Sequence, residues 1–255
     1  MELTEVEFWE TFWKNCALPS EVDMELPSDR CLAQAIRQNL PGITGEVLEV
    51  GCAPGKWLAY MGREFGLRPS GVEYSEAGMK ATLENFRLLG IAPDAIFTGD
   101  FFKMTPPRQF DVVMSLGFIE HFSDVDSVIE LHLRWLKPGG VLILGVPNFR
   151  GVYLPIQRAL DKDILAKHNL GIMNLEYFRG IAQRFSLTPV FLDYIGSFEP
   201  ALFFADYRTG NPLQVFIRAG LWLARRIRRL RTFDRFNHSS YSGYILAIYR
   251  KSATK

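Results

Sequence analysis

The stretch Val47-Leu-Glu-Val-Gly-Cys-Ala-Pro-Gly-Lys56 runs from an apolar strand through a glycine turn towards a helix. Gly51 and Gly55 allow torsions and close backbone approaches that a side chain would obstruct. Working outward from this turn, strand and helix patterns alternate. Strands are expected at 46–51, 70–74, 95–98, 110–115 and 141–146, with helices at 56–65, 76–89 and 125–136 between them. Ser75 reads as an N-cap, Gly90 as a helix stop, and Lys137-Pro-Gly-Gly140 as the end of the third helix. The strands are nearly unbroken apolar runs, as parallel strands covered on both faces are. The fold class is therefore α/β, a doubly wound, mostly parallel sheet.

In such a sheet ligands bind beyond the carboxyl ends of the strands, where the first turn lies. Glu73 ends the second strand, 22 positions after Gly51. A carboxylate there can accept from both hydroxyls of a ribose. Asp100, after the third strand, can accept from an adenine amino group, with Phe101 and Phe102 beside it to stack on the base. The turn also discriminates between ligands. A dinucleotide fingerprint needs three spaced glycines to cradle a pyrophosphate. Here Ala53 replaces the second and Trp57 is bulky, so that cradle is poor. A sulfonium ligand needs no such cradle, and nearby carboxylates and aromatic faces favour its positive charge. Glu49 is placed to orient its amino-acid end.

Four blocks carry a resemblance in order: Val47–Gly55, Gly71-Val-Glu-Tyr-Ser75, Phe110-Asp-Val-Val-Met-Ser-Leu-Gly-Phe-Ile-Glu-His121, and Leu136-Lys-Pro-Gly-Gly-Val-Leu-Ile143. Together the sequence resembles the class I S-adenosylmethionine-dependent methyltransferases, of the group with small-molecule and quinone-type enzymes. The resemblance implies a seven-stranded Rossmann-like sheet with an antiparallel last strand. It implies S-adenosylmethionine as cofactor and direct methyl displacement to a small-molecule acceptor. In this pattern Glu49, Gly51, Cys52, Ala53 and Gly55 surround the methionine end. Glu73, with its neighbour Tyr74, holds the ribose. Asp100 and Phe101 hold the adenine, and Ser115 and Leu116 pass the methionine moiety. Ala53 departs from the family's usual glycine by one methyl group, which is expected to be tolerated.

The rest of the chain is read as one domain over 1–255. Residues 1–40 form an N-terminal helical cover, 41–147 the cofactor-binding core, and 148–255 the substrate side. In this last part a helix plus loop is expected at 150–170, a helix at 174–185, strands at 187–194 and 244–249, and a helical insertion at about 200–238. Its helix, 212–231, alternates Phe216, Leu223, Ile227 and Leu230 with Arg218, Arg225, Arg226, Arg228, Arg229 and Arg231. It is read as packed on the domain with a solvated basic face; peripheral contact with an anionic membrane is the other reading. Phe8, Trp9, Phe12 and Trp13 recur at helical spacing and are read as core packing rather than a substrate lid.

His121 is the candidate general base, since it falls at the end of the fourth strand, where the methyl group would lie. The bland reading of Glu120-His121 is a cap or a core hydrogen bond. Asn148, Tyr153 and His168 are further candidates for the acceptor pocket, each with a loop or surface alternative. No set of His, Cys, Asp and Glu stands at ligand spacing, so no metal is expected. Cys16, Cys31 and Cys52 form no CxxC pair, and reduced thiols suit a cytoplasmic protein, soluble or peripheral to a membrane.

Composition bounds the rival functions. A net charge of +1 gives no field for a nucleic-acid track. After the fourth strand there is neither an Asn-Pro-Pro-Tyr block nor a Pro-Cys, which nucleic-acid methylating enzymes would carry. Lipid or quinone methylation at a membrane surface, an RNA methyltransferase, a nicotinamide oxidoreductase and a non-catalytic cofactor-binding protein remain as alternatives.

Overall fold

In the computed structural model the described residues are 3–203, 212–228 and 230–253. Two helices open the chain, α1 (Val6–Lys14) and α2 (Pro27–Asn39). There follow β1 (Glu46–Val50), α3 (Lys56–Phe65), β2 (Arg68–Glu73), α4 (Glu76–Leu89), β3 (Ala95–Thr98), β4 (Phe110–Leu116), α5 (Val125–Trp135) and β5 (Leu136–Pro147). The substrate side holds α6 (Tyr153–Leu160), α7 (Asp163–Ala166), α8 (Leu175–Arg184), β6 (Leu187–Ile195), α9 (Pro212–Arg228) and β7 (Tyr244–Lys251). Among the described residues the strands form one seven-stranded sheet in the order β3-β2-β1-β4-β5-β7-β6. Only β7 runs against its neighbours, pairing antiparallel with both β5 and β6. The order reverses at β1, which pairs parallel with β2 and with β4. The chain ends that build the site therefore gather above this point.

Alternating strand residues feed two apolar layers. Leu48, Val50, Val113, Leu142 and Leu144 join Val128, Trp135 of α5 and Phe178, Ile181 of α8 on one face. Val47, Val112, Met114 and Ile143 join Leu32, Ile36 of α2 and Leu58, Met61 of α3 on the other. The local signals that end α4 act as read: Ser75 Oγ accepts from the Gly78 amide at 3.0 Å, and Gly90 is left-handed at φ 66°.

Three expectations are corrected by packing. First, Lys137-Pro-Gly-Gly140 does not separate α5 from β5. The strand starts at Leu136, which pairs with Phe110 across a bulge in β4. A Cβ on Gly140 would stand 2.9 Å from the Lys137 carbonyl oxygen, so a residue that reads as a turn instead permits a tight strand crossing. Second, of the two N-terminal helices only α2 covers the sheet; α1 has no fully buried residue and lies along α4. Third, the apolar stripe of the basic helix does not pack on the domain. α9 turns Leu221 and Ile217 inward, while Phe216 is 76% and Trp222 60% exposed, and Leu223, Ile227 and Leu230 are exposed as well. Arg229 and residues 204–211 of the insertion lie outside the described residues, as do the side chains of Arg218, Arg225 and Arg228. Among the described residues no helix is long and apolar enough to cross a membrane.

Candidate active site

A cavity of about 340 Å³ opens at the carboxyl ends of the parallel strands. Its first half is bounded by Gly51 and Ala53 of the first turn, Glu73 and Tyr74 after β2, and Asp100, Phe101 and Phe102 after β3. Its second half is bounded by Leu116 at the end of β4, by Glu120 and His121 of the short 3-10 turn Ile119–His121, and by Phe149 and His168. The aromatic rings Phe8, Trp9, Phe12 and Trp13 of α1 complete the wall. These four therefore wall the cavity, and only Phe8 also packs against the core, where the sequence reading placed all four in core packing. The same helical spacing serves either purpose, because a stripe facing a cavity is as apolar as one facing a core.

α1 is strapped in place at both ends. The Glu10 carboxylate accepts from the amides of Glu76 (2.6 Å) and Ala77 (3.2 Å), the unsatisfied donors that open α4. Desolvation opposes ionisation of Glu10, but hydrogen bonds from Ser75, Ala77 and Glu76 outweigh it and hold the carboxyl below its ordinary range. At the other end the Leu3 amide donates to the His121 carbonyl at 2.7 Å, and Thr4 Oγ1 lies 3.0 Å from His121 Nδ1.

In the first half of the cavity, Glu73 is buried and its oxygens accept from the amides of Ala53 (3.2 Å), Tyr74 (3.0 Å) and Ser75 (2.8 Å). Burial raises its proton affinity, and these amides work in the opposite direction. A carboxylate offers about four lone-pair sites, so capacity remains for a hydroxyl donor in the cavity. Asp100 accepts from the Phe102 amide at 2.9 Å and pairs with Lys103 at 3.0 Å. Phe101 is buried, edge-on to His132 with centroids 5.2 Å apart, whereas Phe102 is 40% exposed. Gly51 has φ 68°, and a Cβ there would come within 2.7 Å of the Phe118 ring.

Of the residues read from the sequence, Gly51, Ala53, Glu73, Tyr74, Asp100, Phe101, Leu116, His121 and His168 meet at the cavity. Glu49, Cys52, Gly55 and Ser115 do not line it. Glu49 shares the β1 face of Val47, towards α2 and α3, and is fully buried. Burial pushes its carboxyl up to about 8, and its Oε2 has no hydrogen-bond partner. Cys52 is buried on that face too, its thiol pushed upward by burial and then by the nearby Glu73 and Glu49. Gly55 heads α3 in a left-handed conformation, where a Cβ would crowd Phe86 and Thr82 of α4. Ser115 Oγ is 3.1 Å from Nε2 of the buried His132. Asn148 and Tyr153 also fall outside the cavity wall. Asn148 donates to the Ser239 and Ser242 carbonyls, and Tyr153 donates to the Tyr241 carbonyl, so they tie the chain before β7 to the end of β5 and to the start of α6.

In the second half of the cavity, His121 Nδ1 lies 2.9 Å from the Lys167 carbonyl oxygen. Burial, and next the nearby His168, push the His121 imidazole down to about 3, so it is neutral at physiological pH. Trp9 sits edge-on to it at 5.0 Å and His168 lies 4.6 Å away between ring centroids. Glu120 was not singled out from the sequence as a site residue. It is buried, burial raises its carboxyl to about 8, and its Oε2 has no hydrogen-bond partner.

The family model described as a methyltransferase domain matches residues 26–188, well over half of the chain. Ubiquinone biosynthesis O-methyltransferase from Pseudomonas paraeruginosa is 34% identical over 109 residues, 42% of this chain and 47% of that protein. Phosphoethanolamine N-methyltransferase 1 from Arabidopsis thaliana is 31% identical over 101 residues, 39% of this chain and 20% of that protein. The chain thus spans less than half the length of either relative. Among solved structures, Haemonchus contortus phosphoethanolamine N-methyltransferase 2 in complex with S-adenosyl-L-methionine superposes with a TM-score of 0.56 at 19% identity, covering 87% of this chain and 52% of that one. A SAM-dependent methyltransferase from Archaeoglobus fulgidus gives 0.54 at 19% identity, covering 87% and 94%. At these identities the structural likeness establishes the shared fold.

Proposed function

The chain belongs to the methyltransferase domain family, and from that premise we propose that it transfers a methyl group from S-adenosylmethionine to a small-molecule acceptor. The observation that carries this reading is the single cavity. It joins a nucleoside end, with Glu73 and Asp100, to an acceptor end, with Glu120, His121 and His168, under an aromatic helix. When bound, the cofactor supplies a methyl group activated by a sulfonium. The chain's own residues account for the rest. Glu73 accepts from ribose hydroxyls and Asp100 from the adenine amino group. The Gly51 turn, which carries no side chain of its own and packs against the Phe118 ring, borders the amino-acid portion. Glu49 acts from behind the turn rather than as a direct ligand.

His121 is a weak base in this setting, since its proton affinity is so far depressed. Its contribution is a fixed imidazole at the acceptor end, and catalysis rests mainly on positioning. Phe8, Trp9, Phe12 and Trp13 exclude water and press a flat or apolar acceptor towards the methyl group. Production of S-adenosylhomocysteine from S-adenosylmethionine, followed over a panel of phenolic, amine and thiol acceptors, tests this reading. Turnover with one class and none with Glu73→Ala supports it. Failure of the whole panel with folded protein that also fails to bind the cofactor removes it.

A second observation favours work at a membrane surface. α9 exposes Phe216, Trp222, Leu223 and Ile227 beside Arg226, whose guanidinium lies 5.2 Å from the Trp222 ring. An apolar stripe flanked by arginines suits an anionic interface. Co-sedimentation with phosphatidylglycerol vesicles, absent with phosphatidylcholine and lost in Phe216→Asp/Trp222→Asp, is the expected result. Equal recovery in both supernatants would refute it.

A further inference from the structure

Three side chains that can ligate a metal converge in the second half of the cavity. Glu120 and His121 come from the turn after β4, and His168 follows α7 across the cavity. Their potential ligand atoms all lie within 4.8 Å of one another, and two of the three residues are buried. Backbone carbonyls engage one nitrogen of each ring. Nδ1 of His168 lies 2.7 Å from the Ile164 carbonyl oxygen, and Nδ1 of His121 lies 2.9 Å from that of Lys167. A carbonyl oxygen can only accept, so Nδ1 is the protonated nitrogen that suits both rings; the Thr4 hydroxyl, 3.0 Å from His121 Nδ1, donates its own hydrogen to the Lys167 carbonyl and is free to accept. Nε2 of both neutral rings is then a bare lone pair. His121 Nε2 is 3.9 Å from Glu120 Oε1, itself an acceptor when ionised, and the buried Glu120 Oε2 has no hydrogen-bond partner. A buried polar atom without a partner is costly, and Glu120 Oε2 is one, set beside two imidazoles.

A cation satisfies all three at once. Two imidazoles and a carboxylate are a donor set for Zn²⁺, Mn²⁺ or Fe²⁺, and an imidazole ligand ordinarily donates its second nitrogen to a backbone carbonyl, as both do here. We propose that Glu120, His121 and His168 bind a divalent transition-metal ion, with its open coordination positions facing the cavity to take an oxygen of the acceptor. The metal half of this proposal stands on the cluster alone; the acceptor half rests on the methyl-transfer reading. It reverses the sequence expectation of a site without metal. The ligands are adjacent at 120–121 but 47 positions from the third, a spacing that belongs to no short motif.

The test uses tag-free, chelator-stripped full-length protein titrated with Zn²⁺, and with Co²⁺ read by its visible ligand-field absorption. The expected result is one ion per chain, weakened roughly tenfold or more in His168→Ala and in Glu120→Gln. S-adenosylhomocysteine titration of the same samples checks folding and keeps the two readings separate. Cofactor binding with no metal binding overturns the metal site and leaves the methyltransferase. Metal binding unchanged in both variants overturns it equally. If the variants do not fold, carbethoxylation of the wild type decides. Zn²⁺ is expected to protect His121 and His168 from modification by diethyl pyrocarbonate, and modification at the same rate with and without Zn²⁺ would contradict the site.

Discussion

Trp9 and His121, 112 positions apart in the chain, meet edge to face with ring centroids 5.0 Å apart. This contact joins the N-terminal helix to the turn after β4 and closes the acceptor end of the cavity. Trp9→Ala is expected to raise the KM for the acceptor about tenfold, the scale of a lost aromatic contact with its burial. Cofactor affinity should change little. Steady-state kinetics with either substrate varied, beside S-adenosylhomocysteine titration, separates the two.

Glu10 holds the other end of the same helix to α4. Glu10→Ala removes the acceptor for the Glu76 and Ala77 amides. The helix should then lift more often, and trypsin should cut after Lys14 faster than in the wild type. Saturating S-adenosylhomocysteine should slow the cut if ligand seats the helix. A cleavage rate equal to that of the wild type would show that Glu10 does not hold it.

Gly51 combines a left-handed backbone with a ring where its Cβ would go. Gly51→Ala adds backbone strain of about 1 kcal/mol and pushes Phe118 towards the cavity. The expected outcome is a modest fall in melting temperature and a loss of cofactor affinity of at least about tenfold, since a further clash adds to the strain. Both are read from thermal melts with and without S-adenosylhomocysteine.

Glu49 sets a pH signature. Its folded pKa lies at about 8, above its ordinary value of 4.5, because burial disfavours the charge. Between these values the folded state binds more protons than the unfolded, so stability falls as pH rises through that window and levels off above it. Below the unfolded value both states are protonated and the penalty vanishes. Glu49→Gln should therefore become progressively more stable than the wild type from about pH 4.5 to 8, by up to roughly 1.4 kcal/mol per pH unit. Urea denaturation of the ligand-free proteins across that range measures it, and a constant gap would be the contrary result.

The strand-end half of the cavity wall was legible because the resemblance fixes which residues stand there. Gly51, Glu73 and Asp100 each follow a strand that its own apolar run reveals. The acceptor half was not, for reasons visible in individual residues. Trp9 and Phe12 have the spacing of a core helix, and only the placement of α1 on α4 turns them towards a cavity. Glu120 looked like a cap because its partner His168 comes from another segment. The apolar stripe of α9 was read as facing inward, yet Leu221 and Ile217 take that role. Glu49 and Ser115 were assigned to the ligand by their place in a motif, while strand alternation directs one to α3 and the other to His132. Lys137-Pro-Gly-Gly140 carried every local mark of a turn and is strand, because Leu136 finds a partner in Phe110.

The most direct test is isothermal titration of the protein with S-adenosylhomocysteine, beside Glu73→Ala. One site per chain, with affinity lost or greatly weakened in the variant, is the result expected if the cavity under α1 is a methyl-donor site held by Glu73. Folded wild-type protein that takes up no S-adenosylhomocysteine, or a variant that binds as tightly as the wild type, would contradict it.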